Sequence, residues 1–416
     1  MSVKTKQSYA TIMKCRECNA EYPLTRLAIC NECFAPVDII YDYDSISLKP
    51  FDFHNRPHNI WRYKELLPLN NNKNIIDLNV GYTPLIKCKN LGEILGLKNL
   101  YIKNDSVNPT FSFKDRPANV AVSKAIEFGD KVVGCASTGN LAGAVAAQAA
   151  KARLNCYVLT PLNTELGKLS QVAAYGANII GVNGTYDDAN RLAVLASEEF
   201  GWNIVNVTSR PYYVEGSKTM AFEILEQLNW QTPDQIIVPV ASGALFCAIN
   251  RGLNQFEQIG LINNNKVKLN GAQASGCSPI STAFKNNQKN ITPVEKPDTL
   301  AKSIAIGDPG DGDYVLQLSK LTNGRVDDVS DSQITEVIKL IAKSEGIFTE
   351  PAGAVTVAMA QNMVTNGQLD SDETVVCCVT GNGLKTTELI DINKNLFKIS
   401  PSLDSLIDTV RGINNA

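Results

Sequence analysis

Residues 131–161, KVVGCASTGNLAGAVAAQAAKARLNCYVLTP, set the reading of the whole chain. VVGCA is a run of β-branched and small apolar residues of strand length. STGN breaks it, LAGAVAAQAAKARL is Ala-rich and of helix length, and NCYVLTP returns to strand chemistry. A continuous apolar run is a strand buried on both faces, and a helix between two such runs makes a βα unit of a parallel sheet. The alternation extends both ways. Upstream lie LKNLYIKND (97–105) and RPANVAVSKAIEFG (116–129); downstream lie LGKLSQVAAYG (166–176), ANIIGVNGT (177–185) and DDANRLAVLASEEFG (187–201). Residues 131–206 thus carry four strands, a compact sub-domain. A second series starts at QIIVPV (235–240) and runs through VKLNGAQAS (267–275) to TVVCCVT (374–380). The fold class is α/β with parallel-sheet cores.

The chain has 416 residues, enough for two to three domains at roughly 150 residues each. Apolar residues make up 44% and charged residues 19%, a balance that buries substantial cores and excludes a disordered chain. Lys plus Arg number 39 against 42 Asp plus Glu, with no basic stripe, so bulk electrostatics do not recruit nucleic acid. No apolar run approaches the roughly 18–20 residues of a membrane span. MSVKTKQSYATIMK lacks the apolar centre of a signal peptide, and the expectation is a cytoplasmic protein. Residues 45–80, polar and Asn-rich (LNNNKNIIDLN), read as an arm or linker.

Eleven cysteines and two histidines narrow the chemistry. His54 and His58 share one loop-like stretch, FDFHNRPHNIW, far from any nucleophile motif, which argues against a histidine-driven hydrolase. They read as surface or packing residues. Cys15, Cys18, Cys30 and Cys33 form C-x2-C-x11-C-x2-C. Four thiolates on two short turns suit a structural zinc, whose four positions they fill with none left for catalysis. A disulfide pair is disfavoured by a reducing compartment, and a redox CxxC by the matched second pair. The other seven cysteines sit among apolar neighbours as small buried hydrophobes.

Ligands of open parallel sheets bind beyond the carboxyl ends of strands, and three such ends carry chemistry. QIIVPV ends in Ala241–Leu245 (ASGAL) and runs straight into a helix. Small side chains there let backbone N–H groups approach an anion, forming a phosphate cup without the lysine of a P-loop. KVVGCA ends in Ser137–Asn140 (STGN), with more donors than a helix cap requires, and TVVCCV ends in Thr380–Gly383 (TGNG). Plain capping or packing remains the alternative for each. A fourth element is Asn108–Pro117 (NPTFSFKDRP), where Lys114 stands beside Phe113 and near Phe111. A lone lysine is ordinarily a solvated charge. An apolar setting lowers its pKa and raises its nucleophilicity, and a lysine plus a phosphate cup is what a pyridoxal phosphate enzyme needs.

NPTFSFKDRPAN resembles the lysine motif of the fold-type II pyridoxal phosphate enzymes, the tryptophan synthase β-like family. STGN, VPVASGALF (238–246), EPAGA (350–354) and VTGNGLK (379–385) follow in that family's order. YVEGSKTMAFEI (213–224), QASGCSPI (273–280) and the CxxC…CxxC head followed by VDIIYDYD (37–44) resemble its threonine synthase branch in the archaeal-like form with a zinc ribbon. The similarity covers about residues 12–395.

The resemblance implies two parallel-sheet domains plus the ribbon: 1–45 the zinc ribbon and arm, 46–119 with 206–416 the large cofactor-binding domain, and 120–205 a smaller mobile α/β domain. It implies pyridoxal 5'-phosphate and a structural zinc as cofactors, an amino-acid substrate (O-phosphohomoserine), and a homodimer. Lys114 would be the Schiff-base lysine and Asn140 would hydrogen-bond the cofactor's phenolic oxygen. Backbone N–H groups of Ala241, Ser242, Gly243, Ala244 and Leu245, with the Ser242 hydroxyl, would hold its phosphate, and Thr380 would face the pyridine nitrogen. A neutral hydroxyl there leaves the nitrogen largely unprotonated and favours elimination and replacement over transamination. Ser137, Thr138 and Gly139 would cradle the substrate carboxylate. Thr208, Arg210 and Lys218 would bind a substrate phosphate. Sibling activities share this set: a threonine or serine dehydratase, or a cysteate synthase-like β-replacement. A non-enzymatic protein working through its ribbon is the reading from another class. Two departures stand out: Phe111 occupies the family's usual Gly position, and ASGAL is poorer in Gly than the usual phosphate loop.

Overall fold

The computed structural model describes residues 7–137, 139–162, 164, 166–206 and 211–414. It opens with β1 (Ala10–Cys15), β2 (Glu21–Tyr22) and β3 (Val37–Tyr41), an antiparallel sheet in the order β2-β1-β3. Along β3 the side chains of Val37, Ile39 and Tyr41 are buried in alternation, the period-2 pattern of a strand with one covered face. That face joins the main core: Met13 and Ile39 belong to the same cluster as Phe222 and Phe256.

Residues 45–80 are not a linker. They form short turns of tight helix, the longest spanning Ile60–Leu66, and Ile60, Trp61, Tyr63, Leu66, Leu67 and Leu69 are buried. Trp61 Nε1 donates to Asn119 Oδ1 at 2.7 Å, and the buried Arg62 guanidinium pairs with Glu226 at 2.6 Å. The apolar residues there follow neither helical nor strand period, so polarity alone dominated the sequence reading. His54 lies edge-on to Phe51 and His58 stacks on Tyr82, both as packing residues.

The body holds two sheets. Strands β4 (Leu85–Lys87) and β5 (Asn99–Asn104) precede a compact series, β6 (Val132–Ala136), β7 (Asn155–Pro161), β8 (Asn178–Val182) and β9 (Asn203–Ile204). After it come β10 (Gln235–Pro239), β11 (Lys268–Ala274), β12 (Val326–Val329) and β13 (Thr374–Val379). The middle four make a parallel sheet in the order β8-β7-β6-β9, as the reading of 131–206 expected. The others make a six-stranded sheet, β12-β11-β10-β13-β5-β4, parallel except for β4, which runs antiparallel to β5 at the edge.

Helices α1 (Lys89–Leu95), α2 (Asp115–Glu127), α3 (Asn140–Ala152), α4 (Leu166–Ala174) and α5 (Tyr186–Phe200) fall in the first half. They are followed by α6 (Tyr212–Ser217), α7 (Thr219–Gln227), α8 (Ala244–Gln258), α9 (Pro279–Lys285) and α10 (Gly312–Leu321), then α11 (Asp331–Glu345), α12 (Pro351–Thr365) and α13 (Leu403–Asn414). Helix α12 packs against β10, β11 and β13 and is buried from Pro351 to Ala360, which its apolar sequence on every side allows. No described helix is long and apolar enough to cross a membrane. The carboxyl ends of β6, β10 and β13, together with the segment that follows β5, converge on one cavity of about 360 Å³.

Candidate active site

Lys114 immediately precedes α2, and two backbone bonds fasten its segment to the end of β13. Phe113 N donates to Thr380 O at 2.9 Å and Asn382 N to Phe111 O at 3.1 Å. This places Lys114 and Thr380 on the same cavity wall. Phe111 holds a φ of 64°, the left-handed region that favours glycine, at the position where the resembled family carries Gly. The strain is local, and the side chain points outward at 44% exposure.

Lys114 Nζ donates to Tyr213 Oη at 2.7 Å and lies over the rings of Phe113 and Tyr213. Burial lowers its pKa to about 8, against the opposing pull of Glu350. Asn140, at the start of α3, is held from both sides: its Nδ2 donates to Glu350 Oε1 and its Oδ1 accepts from Lys385 Nζ, each at 2.8 Å. Burial raises the Glu350 carboxyl, with Lys385, the Asn140 hydrogen bond, Lys168 and Lys114 pulling the other way. Burial likewise lowers Lys385, opposed by Glu350 and Asp115. Asp115 is pushed up to about 6, chiefly by burial, although Thr110 donates to it twice.

The ASGAL turn behaves as its sequence suggests. Gly243 has a φ of 90°, and a Cβ there would stand 2.7 Å from Asp311 Cβ and 2.8 Å from Val315 Cγ2, so only glycine fits. Its left-handed turn starts α8, and Ala241, Ser242, Gly243, Ala244 and Leu245 all line the cavity at that helix start. A fifteen-residue helix aimed at a cavity by a glycine is a fitting cradle for a phosphate. A lysine amine and a threonine hydroxyl line the same cavity, so the residues fit pyridoxal phosphate.

The STGN turn serves in part as the cap that its composition also allowed. Ser137 Oγ accepts from Gly139 N at 3.1 Å and Ala142 N at 3.3 Å, while Ser137, Gly139 and Asn140 all line the cavity. Thr138, Thr208 and Arg210 lie outside the described residues. Lys218 is not brought to the cavity. Its Nζ is fully buried, pairs with Glu215 and lies over the Tyr41 ring. Tyr213 and Ser217 line the cavity and Lys218, paired with Glu215, does not.

Tyr213, Glu350, Lys385 and Lys168 escaped the sequence reading as site residues. Glu350, Tyr213 and Lys385 lie inside EPAGA, YVEGSKTMAFEI and VTGNGLK, and an acid just before a helix-starting proline is a usable signal. Lys168 carried none: its side chain crosses the STGN turn, with Cδ 3.3 Å from where a Gly139 Cβ would sit.

Cys15, Cys18, Cys30 and Cys33 cluster at a second place. Their Sγ atoms lie within 4.8 Å of one another, with Cys15–Cys33 at 3.4 Å and Cys18–Cys30 at 3.5 Å. A tetrahedral zinc with Zn–S near 2.3 Å spaces its sulfurs by about 3.8 Å, so this set fits one.

The family model described as pyridoxal-phosphate dependent enzyme matches residues 76–381. The threonine synthase of Methanocaldococcus jannaschii is 41% identical over 378 residues, 90% of this chain and 93% of its own. That of Methanosarcina acetivorans is 37% identical over 404 residues, 96% and 98% of the two chains. Among solved structures, the processed form of threonine deaminase isoform 2 from Solanum lycopersicum superposes with a TM-score of 0.63 at 24% identity, covering 74% of this chain and 86% of that one. Maize serine racemase does so at 0.63 and 21%, covering 80% and 93%. These two are likenesses of fold alone. The sequence relatives go further: the chain belongs to the pyridoxal-phosphate dependent enzymes, in their threonine synthase branch.

Proposed function

We propose that this protein converts O-phospho-L-homoserine and water to L-threonine and inorganic phosphate, using pyridoxal phosphate at Lys114 and a structural zinc on Cys15, Cys18, Cys30 and Cys33. The observation that carries the reading is a lysine amine lowered to about 8, on a phenol, in one cavity with a glycine-started helix N-terminus. Its relatedness to threonine synthases across nearly the whole chain supports the substrate.

When bound, the cofactor supplies an electron sink for the charge left on carbon as a proton departs. The backbone of Ala241–Leu245 and the Ser242 hydroxyl would hold its phosphate, Asn140 would hydrogen-bond its phenolic oxygen, and Thr380 would serve its ring nitrogen. Lys114 would take the Cα proton and then a Cβ proton as phosphate leaves Cγ with the bonding pair; a proton is returned to Cγ, water adds its oxygen at Cβ, and Lys114 returns a proton to Cα. An amine with a pKa near 8 is suited to both taking and giving protons at neutral pH. Ser137 and Gly139 receive the substrate carboxylate, and Lys168, which lines the same cavity, adds positive charge toward a doubly anionic substrate. Thr208 and Arg210 take the substrate phosphate. Residues 46–119 with 206–416 act as the large unit and 120–205 as a smaller one that closes over the substrate, in a cytoplasmic homodimer.

The test is to load the protein with pyridoxal phosphate and assay threonine and phosphate together from O-phosphohomoserine. Equal release of both supports the reading. A yellow protein that leaves this substrate untouched but deaminates threonine or serine moves the function to a dehydratase.

A further inference from the structure

The ribbon and the proposed phosphate cup are joined by one chain of charged contacts. Arg16 sits inside the first cysteine knuckle, between Cys15 and Cys18. Its Nε and Nη2 fork onto Asp38 of β3 at 2.7 and 2.9 Å, and its Nη1 reaches Asp311 Oδ1 at 3.2 Å. Asp311 is 1% exposed, donates its backbone N–H to Ser242 O at 2.8 Å and presses its Cβ against Gly243. Ser242 and Gly243 are the turn that starts α8. Asp38 provides a second grip on the same helix, because it also pairs with Arg251, two turns along α8. Arg251 in turn holds Glu215 at 2.9 Å, and Glu215 holds Lys218 and accepts from Tyr41 Oη.

Three cations (Arg16, Arg251, Lys218) therefore face three anions (Asp38, Asp311, Glu215), and each has a partner of opposite sign. Removing one member of such a set leaves an unpaired charge in a poorly solvated place, so the set holds its geometry tightly. The knuckle is the part of this chain that a metal ion would stiffen.

We propose that Arg16 is a positioning residue for the cofactor phosphate: through Asp311 it fixes the Ser242–Gly243 turn, so that metal occupancy of the ribbon governs how firmly the cofactor is retained in the cleft. The inference rests on the reading of Ala241–Leu245 as the phosphate cup. It gives the ribbon a task in the catalytic body that its distance in sequence does not suggest.

The experiment compares holoenzyme with Arg16→Gln, Asp311→Asn and the double variant. It reads the rate of pyridoxal phosphate loss on dilution, the phosphorus resonance of the bound cofactor, zinc content, and the melting temperature of the apo form. The expected result is cofactor loss about 10-fold faster in each single variant, the size of one charge-assisted hydrogen bond. The double variant should be no faster than the singles, the phosphorus resonance should shift, zinc content should stay unchanged, and apo melting should fall by less in the double variant than by the sum of the single falls. Arg16→Lys should restore part of the retention. Wild-type protein stripped of zinc with a chelator should lose cofactor at the variants' rate. Wild-type release and an unshifted resonance in Arg16→Gln would overturn the inference, as would additive losses in the double variant. A wild-type protein that takes up no pyridoxal phosphate would instead overturn the cofactor reading beneath it.

Discussion

Lys114 and Lys218 both lie inside the protein with their ammonium groups over aromatic rings, Phe113 and Tyr213 for the first, Tyr41 and Phe222 for the second. Burial is the largest influence on each, and it lowers both to about 8. Their partners differ. Lys218 meets the Glu215 carboxylate, which Arg251 and Tyr41 also hold, and it does not line the cavity. Lys114 meets a phenol and opens onto the cavity. A carboxylate keeps the proton in place and completes a structural pair, whereas a phenol beside open space leaves the amine available. A perturbed pKa therefore identifies a reactive lysine only when read with its partner and its access.

The most direct way to break this comparison is to remove each amine. Lys114→Ala should lower turnover by about 10³-fold or more while melting stays near wild type, as measured by product assay and circular dichroism. Lys218→Met should do the opposite. It leaves Glu215 buried with one cation fewer, and denaturant titration should register a loss of about 3–5 kcal/mol. Equal loss of stability in both variants would dissolve the distinction.

The next effect lies at the cup. Gly243→Ala places a Cβ against Asp311 at a φ of 90°, which should cost about 1–3 kcal/mol, read as weaker cofactor binding by equilibrium dialysis.

A smaller effect is in pH. Lys114 titrates at about 8 in the folded chain and at 10.5 when unperturbed. Between those values the folded state holds fewer protons than the unfolded one, so this group's contribution to stability rises with pH across that window. The neutral amine that attacks the cofactor grows through the same folded value. Cofactor uptake by the apo protein should accelerate with a midpoint near pH 8, and Glu350→Gln, which removes a charge that raises Lys114, should move that midpoint down.

The smallest is at Phe111. Glycine there relieves the left-handed backbone but adds freedom to the unfolded chain, so Phe111→Gly should change stability by less than about 1 kcal/mol, in the stabilising direction.

The same contrast explains what the sequence could tell. Buried parallel strands are continuous apolar runs, so β6, β7, β10, β11 and β13 could be read from composition over five to seven residues. Edge strand β4 is three residues long and carries no such signal. The glycine-backed turn at 241–245 and the lysine at 114 are local features and were legible. What surrounds Lys114 is not local: Tyr213, Glu350 and Lys385 arrive from three distant segments. Lys218 shows the limit from the other side. The stretch YVEGSKTMAFEI contains Tyr213 and Lys218 five residues apart, and only the helix packing decides that the first faces the cavity and the second faces away. Residues 45–80 failed for a related reason, since Trp61, Tyr63 and Leu66 fill gaps between helices without a period of their own.

The central claim is that phosphate leaves by breaking the bond between carbon and oxygen, with water entering at a different carbon. Turnover of O-phosphohomoserine in water enriched in oxygen-18 tests it most directly, with mass spectrometry of both products. The account predicts one labelled oxygen in the hydroxyl of threonine and none in the released phosphate. Label in the phosphate, with homoserine as the other product, would mean hydrolysis at phosphorus and would contradict the account.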